Sequence, residues 1–205
     1  MSRQSAPVRS APRQARSRAM VDRIIDACEQ VLIADGYAAA STNRIAERAG
    51  ISKGSLYQYF PDKDAVILAV LVRFINNAAA DALPLLTNAF DLPPRQMLEL
   101  AVTTMLQIEQ AHRELLRIIV EQTPRLHGFD KTQELTDALV AVACQYAQAH
   151  QSEFRPDLDL PATMWLVVET ALRVSFQYVL QPKPRMSQQQ FSAALVDMAA
   201  RYCLT

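Results

Sequence analysis

Apolar residues along this chain recur at helical spacing, and no interval shows sustained alternation of apolar and polar positions. Over residues 18–35, Val21, Ile24, Ile25, Cys28, Val31 and Leu32 fall on one stripe. That is the three-and-four spacing of a half-buried α-helix. Phe191, Ala194, Leu195, Met198, Ala199 and Tyr202 form a second such stripe over 187–202. Prolines bound the intervals between, because proline lacks the amide donor and its ring clashes with the preceding turn. The pattern predicts helices at 18–35, 42–49, 53–60, 63–83, 95–111, 112–122, 131–151, 161–180 and 187–202. Gly36 follows the first as a left-handed cap, Ser41 is placed to cap the second, and Asp62 to cap the fourth. The expected fold class is all-α.

Composition narrows the classes. The chain has 205 residues, half of them hydrophobic and 20% charged, so it can bury a sizeable core. Four glycines in the chain argue against Gly-rich phosphate loops, glycine-dependent hairpins and most all-β architectures. Lys+Arg and Asp+Glu are 21 each, yet the first 75 residues carry 11 basic and 7 acidic side chains. Arg3, Arg9, Arg13, Arg16 and Arg18 all precede the first acid, Asp22. A basic end hints at nucleic-acid or membrane contact. Residues 1–17, rich in Ser, Pro, Arg and Gln, read as a disordered arm. The expected domains are then 18–75, compact and basic, and 76–205, larger and acidic.

The apolar run 65–72 is too short to span a bilayer. The start lacks the apolar region of a secretory signal, although its Arg/Ser-rich character also fits a transit peptide. Cys28, Cys144 and Cys203 are widely spaced with no C-x-x-C pair; reduced buried thiols on one side, and a disulfide or redox sensor on the other, are the readings.

Residues 41–63 carry the chemistry. Two short helices joined by Gly50-Ile51-Ser52 fit a helix-turn-helix unit. Leu56 and Phe60 lie four apart and pack inward, which leaves Lys53, Gly54, Ser55, Tyr57 and Gln58 on the other or the N-terminal surface. Recognition helices present their first residues to base edges in the major groove. Lys53 can donate to guanine, Ser55 can donate or accept, and Gln58 can bond adenine. Around them Ser41, Thr42, Asn43 and Lys63 sit at helix N-termini suited to phosphate, and the Tyr57 and Tyr59 hydroxyls can donate to it. Equally, Tyr57-Gln58-Tyr59-Phe60 can be an aromatic core segment, and a helix-turn-helix shape can be a plain structural corner.

The string from Ile45 to Lys63, IAERAGISKGSLYQYFPDK, closely resembles the DNA-binding signature of TetR-family transcriptional regulators. Gly36-Tyr37 and Ser41-Thr42 also fall where that family places them. The resemblance covers about residues 18–70 and implies a cytoplasmic homodimer with a three-helix DNA-binding domain and a larger helical domain holding a small-molecule pocket. By position it implies that Lys53, Gly54, Ser55, Tyr57 and Gln58 face the major groove. Thr42, Tyr59 and Lys63 would hold phosphates. Arg16 and Arg18 extend this set where an arm reaches the duplex. The last two helices would form the dimer bundle and present two recognition helices to a pseudo-palindromic operator, with half-sites ~34–36 Å apart. A repressor released by an effector is expected, with activation left open because operator position decides it.

Polar residues stranded among apolar ones are natural ligand anchors. The candidates are His112, Arg117 and Glu121, then Trp165, Glu169 and Arg173, with Met105 beside them. Two readings stand here as well. Glu169 and Arg173 are four apart and can simply pair, and Trp165 and Met105 can be core. No cofactor or metal is expected: His112, His127 and His150 lack metal-ligand spacing, and there is no G-x-S-x-G elbow. A DNA-binding protein of architectural or protein-partner role, and more remotely a helical enzyme, are the alternatives.

Overall fold

A computed structural model describes the backbone of residues 11–122 and 130–205, with side chains described for 14–118 and 133–205. It divides into two compact units, Met1–Leu71 and Val72–Thr205. Among the described residues the architecture is all-α, with nine α-helices and one short 3-10 turn.

The first unit holds α1 (Ala11–Ala39), α2 (Thr42–Arg48), α3 (Lys53–Tyr57) and the opening turns of α4 (Lys63–Thr87). The predicted stripe of α1 is its buried face: Ile24, Ile25, Cys28, Val31 and Leu32 are buried, with Ala27, while Val21 is half-buried. Ile45, Ala46 and Ala49 near α2, Leu56 on α3, and Val66, Ile67, Val70 and Leu71 on α4 complete the core.

Four boundaries depart from the sequence reading. α1 starts at Ala11, inside the stretch read as an arm. Pro12 lies in its first turn, where the missing donor would have had no partner anyway, and Arg, Gln and Ala are good helix formers. Residues 1–10, with Arg3 and Arg9, lie outside the described residues. At the far end of α1, Gly36 adopts φ 75° and ψ 173°, a kink rather than a stop, and one more turn runs to Ala39. α3 ends at Tyr57 rather than 60, because Gln58 N–H bonds Ser55 O and Tyr59 N–H bonds Leu56 O in tighter three-residue turns. α4 continues through Pro84 to Thr87. Pro84 sits in its last turn, and the Thr87 hydroxyl donates to Leu83 O at 2.9 Å.

At 25 residues, α4 is also long and apolar enough to cross a bilayer by length and composition, although Arg73 limits its uninterrupted apolar run to residues 65–72. Its buried stripe Val66, Ile67, Val70, Leu71, Ile75 and Ala78 recurs at helical spacing, with Asn76, Asn77 and Asp81 exposed. That two-sided pattern belongs to an amphipathic core helix.

The second unit adds α5 (Pro94–Ala111), α6 (Arg113–Gln122), α7 (Asp130–Ala149), a 3-10 turn (Gln151–Glu153), α8 (Leu160–Leu180) and α9 (Gln188–Cys203). α7 packs on α8, and α5 packs on both α8 and α9. Val102, Leu106, Tyr178, Val179, Phe191, Leu195 and Val196 form one apolar cluster, in which the Tyr178 and Phe191 rings stack at 4.1 Å. A second cluster gathers Met97, Tyr146, Ala147, Phe154, Met164 and Cys203. Asp159 caps α8, and Ser187 with Gln190 forms a reciprocal capping box on α9.

Gly36 gives a direct test of the α1 kink. Its φ/ψ pair lies in a region essentially reserved for glycine, yet a Cβ there would meet nothing within 4 Å. Gly36→Ala is therefore expected to cost about 1–3 kcal/mol through backbone strain alone, read as a lower urea midpoint. An unchanged midpoint would show that the kink is not required.

Candidate functional site

The helix-turn-helix begins with a stop. At the end of α2, Ile51 N–H bonds Ala46 O at 3.0 Å and Gly50 N–H bonds Glu47 O at 3.0 Å. With Gly50 at φ +64°, this is a Schellman termination, which satisfies the last carbonyls of α2 and turns the chain sharply. Ser52 then starts α3, its Oγ accepting from Ser55 N–H at 3.0 Å. Leu56 is fully buried and Phe60 half-buried, as the four-residue spacing anticipates. Gly54 and Gln58 fall opposite Leu56, with Ser55 and Tyr57 on the flanks and Lys53 at the first position. Lys53, Gly54, Tyr57 and Gln58 are exposed, and Ser55 is half-buried.

Several of these side chains are already positioned. The Lys53 ammonium lies 5.7 Å from the Tyr57 ring centre, a cation–π contact. The Tyr57 hydroxyl meets Thr42 Oγ1 at 3.3 Å, tying the start of α2 to α3. Ser41 caps α2 by accepting from Arg44 N–H, Asn43 is exposed and Tyr59 half-buried. Arg16 and Arg18 are exposed on α1, so they project from a helix rather than from an arm. Lys63 behaves differently from the exposed lysine its motif suggests. It is half-buried, with Nζ 4.1 Å from the Tyr37 ring centre and 3.5 Å from Ala40 O. The Tyr37 hydroxyl in turn donates to Asp64 Oδ1 at 2.9 Å. Tyr37 thus holds the start of α4 against the kink of α1, a role that its place after Gly36 did not disclose.

The ligand candidates of the second unit are scattered. His112 is half-buried, its ring edge-on to Phe74 at 5.0 Å. Arg117 is exposed and pairs with Glu114 at 3.1 Å, and Trp165 is half exposed. Glu169 accepts from Arg173 at 2.9 Å, the pairing their spacing allows. The Glu121 side chain lies outside the described residues. Met105 alone lies at an internal polar group, its sulfur 3.2 Å from Ser175 Oγ.

That contact leads to a residue the sequence reading missed. Glu109 on α5 is buried, at 8% exposure, and its Oε1 accepts from the fully buried Ser175 hydroxyl on α8 at 2.8 Å. Its Oε2 has no partner among the described residues. Burial raises its pKa to about 7, only partly offset by the Ser175 hydrogen bond. Val102, Leu106 and Glu109 fall on one stripe of α5, so a carboxyl on an apolar face was the available signal.

A glycine-turned helix pair with an outward polar face defines the first unit as a helix-turn-helix module. Residues 24–70 match the profile of bacterial regulatory proteins, tetR family, so the helix-turn-helix segment is similar to that of this family. It is 34% identical over 99 residues to the HTH-type transcriptional activator FasR of Mycolicibacterium smegmatis, covering 48% of this chain and 44% of that protein. The chain thus spans a little under half the length of that relative. Its fold matches the fatty acid degradation regulator FadR of Bacillus halodurans with a TM-score of 0.67 at 18% identity, over 96% of each chain. It also matches FadR of Bacillus subtilis in complex with stearoyl-CoA, TM-score 0.66 at 16% identity, over 87% of this chain and 96% of that one.

Glu109 has a measurable consequence for stability. Its folded pKa, about 7, lies above the ordinary 4.5, so the folded state binds the extra proton. Stability then falls as pH rises from about 4.5 to 7 and levels off above, by roughly 3 kcal/mol in the limit that only this group titrates. Urea midpoints of the parent and Glu109→Gln across that range should diverge with this sign. Parallel curves would place Glu109 in water.

Proposed function

We propose that this chain is a DNA-binding transcriptional regulator, a cytoplasmic repressor that leaves a pseudo-palindromic operator when a small molecule binds its second unit. The observation that carries it is α3 with its C-cap: one apolar anchor, Leu56, turned inward, and Lys53, Gly54, Tyr57 and the capping Gln58 exposed. In this reading Lys53 and Gln58 contact base edges. Gly54, without a side chain, allows close approach, and Ser55 and Tyr57 flank them. Thr42, Tyr59 and Lys63 hold phosphates, helped by Ser41 and Asn43 at the start of α2 and by Arg16 and Arg18 along α1. Lys63 is held near its aromatic platform before DNA arrives, which lowers the ordering cost of the contact.

The same proposal makes the protein a homodimer through α8 and α9. Trp165 and Leu166 on α8, and Met198 and Tyr202 on α9, leave large apolar areas exposed, and such areas mark protein contacts. A two-fold pair would carry two copies of α3 to two half-sites.

Fluorescence anisotropy with the upstream DNA of its own gene tests the DNA reading. Binding should weaken by roughly 10³–10⁵ between 50 and 200 mM salt if ~6–10 phosphates are contacted. Lys53→Ala with Tyr59→Phe should lose most of it. A salt-independent signal, or equal binding by the variant, would refute the assignment. Separately, Met198→Glu with Tyr202→Glu should sediment as a monomer, and a persisting dimer would move the interface off α9.

A further inference from the structure

Glu109 is the one buried side-chain oxygen without a partner among the described residues, and such exceptions call for an explanation. The Ser175 hydroxyl has a single proton and three acceptors within reach: Glu109 Oε1 at 2.8 Å, Leu172 O at 3.1 Å and Met105 sulfur at 3.2 Å. It can serve one at a time, and none of them is Oε2. Nor do the neighbouring guanidiniums neutralise the carboxyl. Arg113, one turn further along the chain, donates to Val179 O at 2.7 Å and Gln181 O at 3.0 Å. Arg117 is turned to Glu114 and Arg173 to Glu169. Whenever it is ionised, a carboxyl in this position lacks two things at once, a hydrogen-bond donor for Oε2 and a positive charge.

We infer that Glu109, with Ser175 behind it, anchors the head of an apolar amine between α5 and α8. A protonated amine supplies both missing elements, since an ammonium carries up to three N–H donors and a full charge. A neutral alcohol would satisfy the oxygen and leave the charge uncompensated, and a carboxylate or phosphate would be repelled. The rest of the molecule must be apolar. One turn away on α5 lies Leu106, and Val102, Tyr178 and Val179 form the same cluster, with Met105 packed against it. The thioether of Met105 is the side chain there best able to yield to an alkyl body. The inference rests on the proposal above that a small-molecule effector is bound. It names a chemistry unlike the stearoyl-CoA held by the Bacillus subtilis FadR structure.

Calorimetry of the full chain, free of DNA, with decylammonium, decanol and decanoate as probes tests it. Decylammonium should bind one per chain, and the other two should bind far more weakly. Glu109→Gln should weaken the amine by roughly ten- to a hundredfold, the loss of one charge-assisted hydrogen bond. Near pH 7 about half of Glu109 is protonated, so amine binding should expel about half a proton, measured by repeating the titration in buffers of different ionisation enthalpy. That readout needs only the parent protein and holds even if the variant folds poorly. No amine binding, equal binding of decanol or decanoate, or binding without proton release would each overturn the inference. Intact operator binding alongside failed amine binding would overturn this inference alone. Amine binding without DNA binding would overturn the regulator reading alone.

Discussion

Everything on the outward polar face of the helix-turn-helix depends on holding a helix too short to hold itself. Five residues close barely one turn, and nucleating a turn costs more than it returns in isolation. α3 exists because Leu56 is fully buried, because Ser52 satisfies an opening amide, and because Gly50 turns the chain at φ +64°. Once Leu56 is fixed inward, helical geometry leaves no choice about Gly54 and Gln58, which must face away. The polar surface is thus a consequence of one apolar anchor. The Thr42–Tyr57 and Lys53–Tyr57 contacts then narrow the rotamers available to the groups left outside.

Local rules were legible wherever the partner lay within a turn. Ser41 and Asp62 cap the helices they precede, and Glu169 pairs with Arg173 four residues on. The rules misled where they were applied without position. Proline ends a helix interior, but Pro12 lies in a first turn, where its missing donor would have had no partner, and Pro84 forgoes one bond to the carbonyl four residues back only three residues before α4 ends. Gly36, a glycine just past the last apolar position of the first stripe, reads as a left-handed cap, and its φ of 75° does lie in the left-handed range. Its ψ of 173° is that of a kink, and sequence does not distinguish the two.

Long-range pairing was not legible at all. Tyr37 lies 27 positions from Asp64, and Glu109 lies 66 from Ser175. Nothing in either local string names the other. What could be seen was one side of each arrangement, an aromatic after a glycine and a carboxyl on an apolar stripe. The polar candidates chosen instead, Arg117, Trp165 and Arg173, proved to be half exposed or more. Exposed ion pairs such as Arg117–Glu114 contribute little to stability, so charge among apolar residues marks an internal site only when burial accompanies it.

Magnitudes limit what a carboxyl such as Glu109 can do in a switch. A ligand moves a two-state equilibrium only through its difference in affinity for the two states. Shifting it from 1:99 to 99:1 takes about 5.5 kcal/mol of that difference. One charge-assisted hydrogen bond contributes about 1.5–3 kcal/mol, so the head group alone falls short even if the competing state offers it nothing. The deficit would be met by burying about three to five methylenes at ~0.8 kcal/mol each, if the apolar wall of α5 and α8 were offered in only one of the two states. An amine with no alkyl body would bind without switching. A long-chain anion would have the body and be refused at the head. Glu109 would therefore decide which molecules are admitted, and the cluster around Leu106 and Val179 would decide how far they shift the protein.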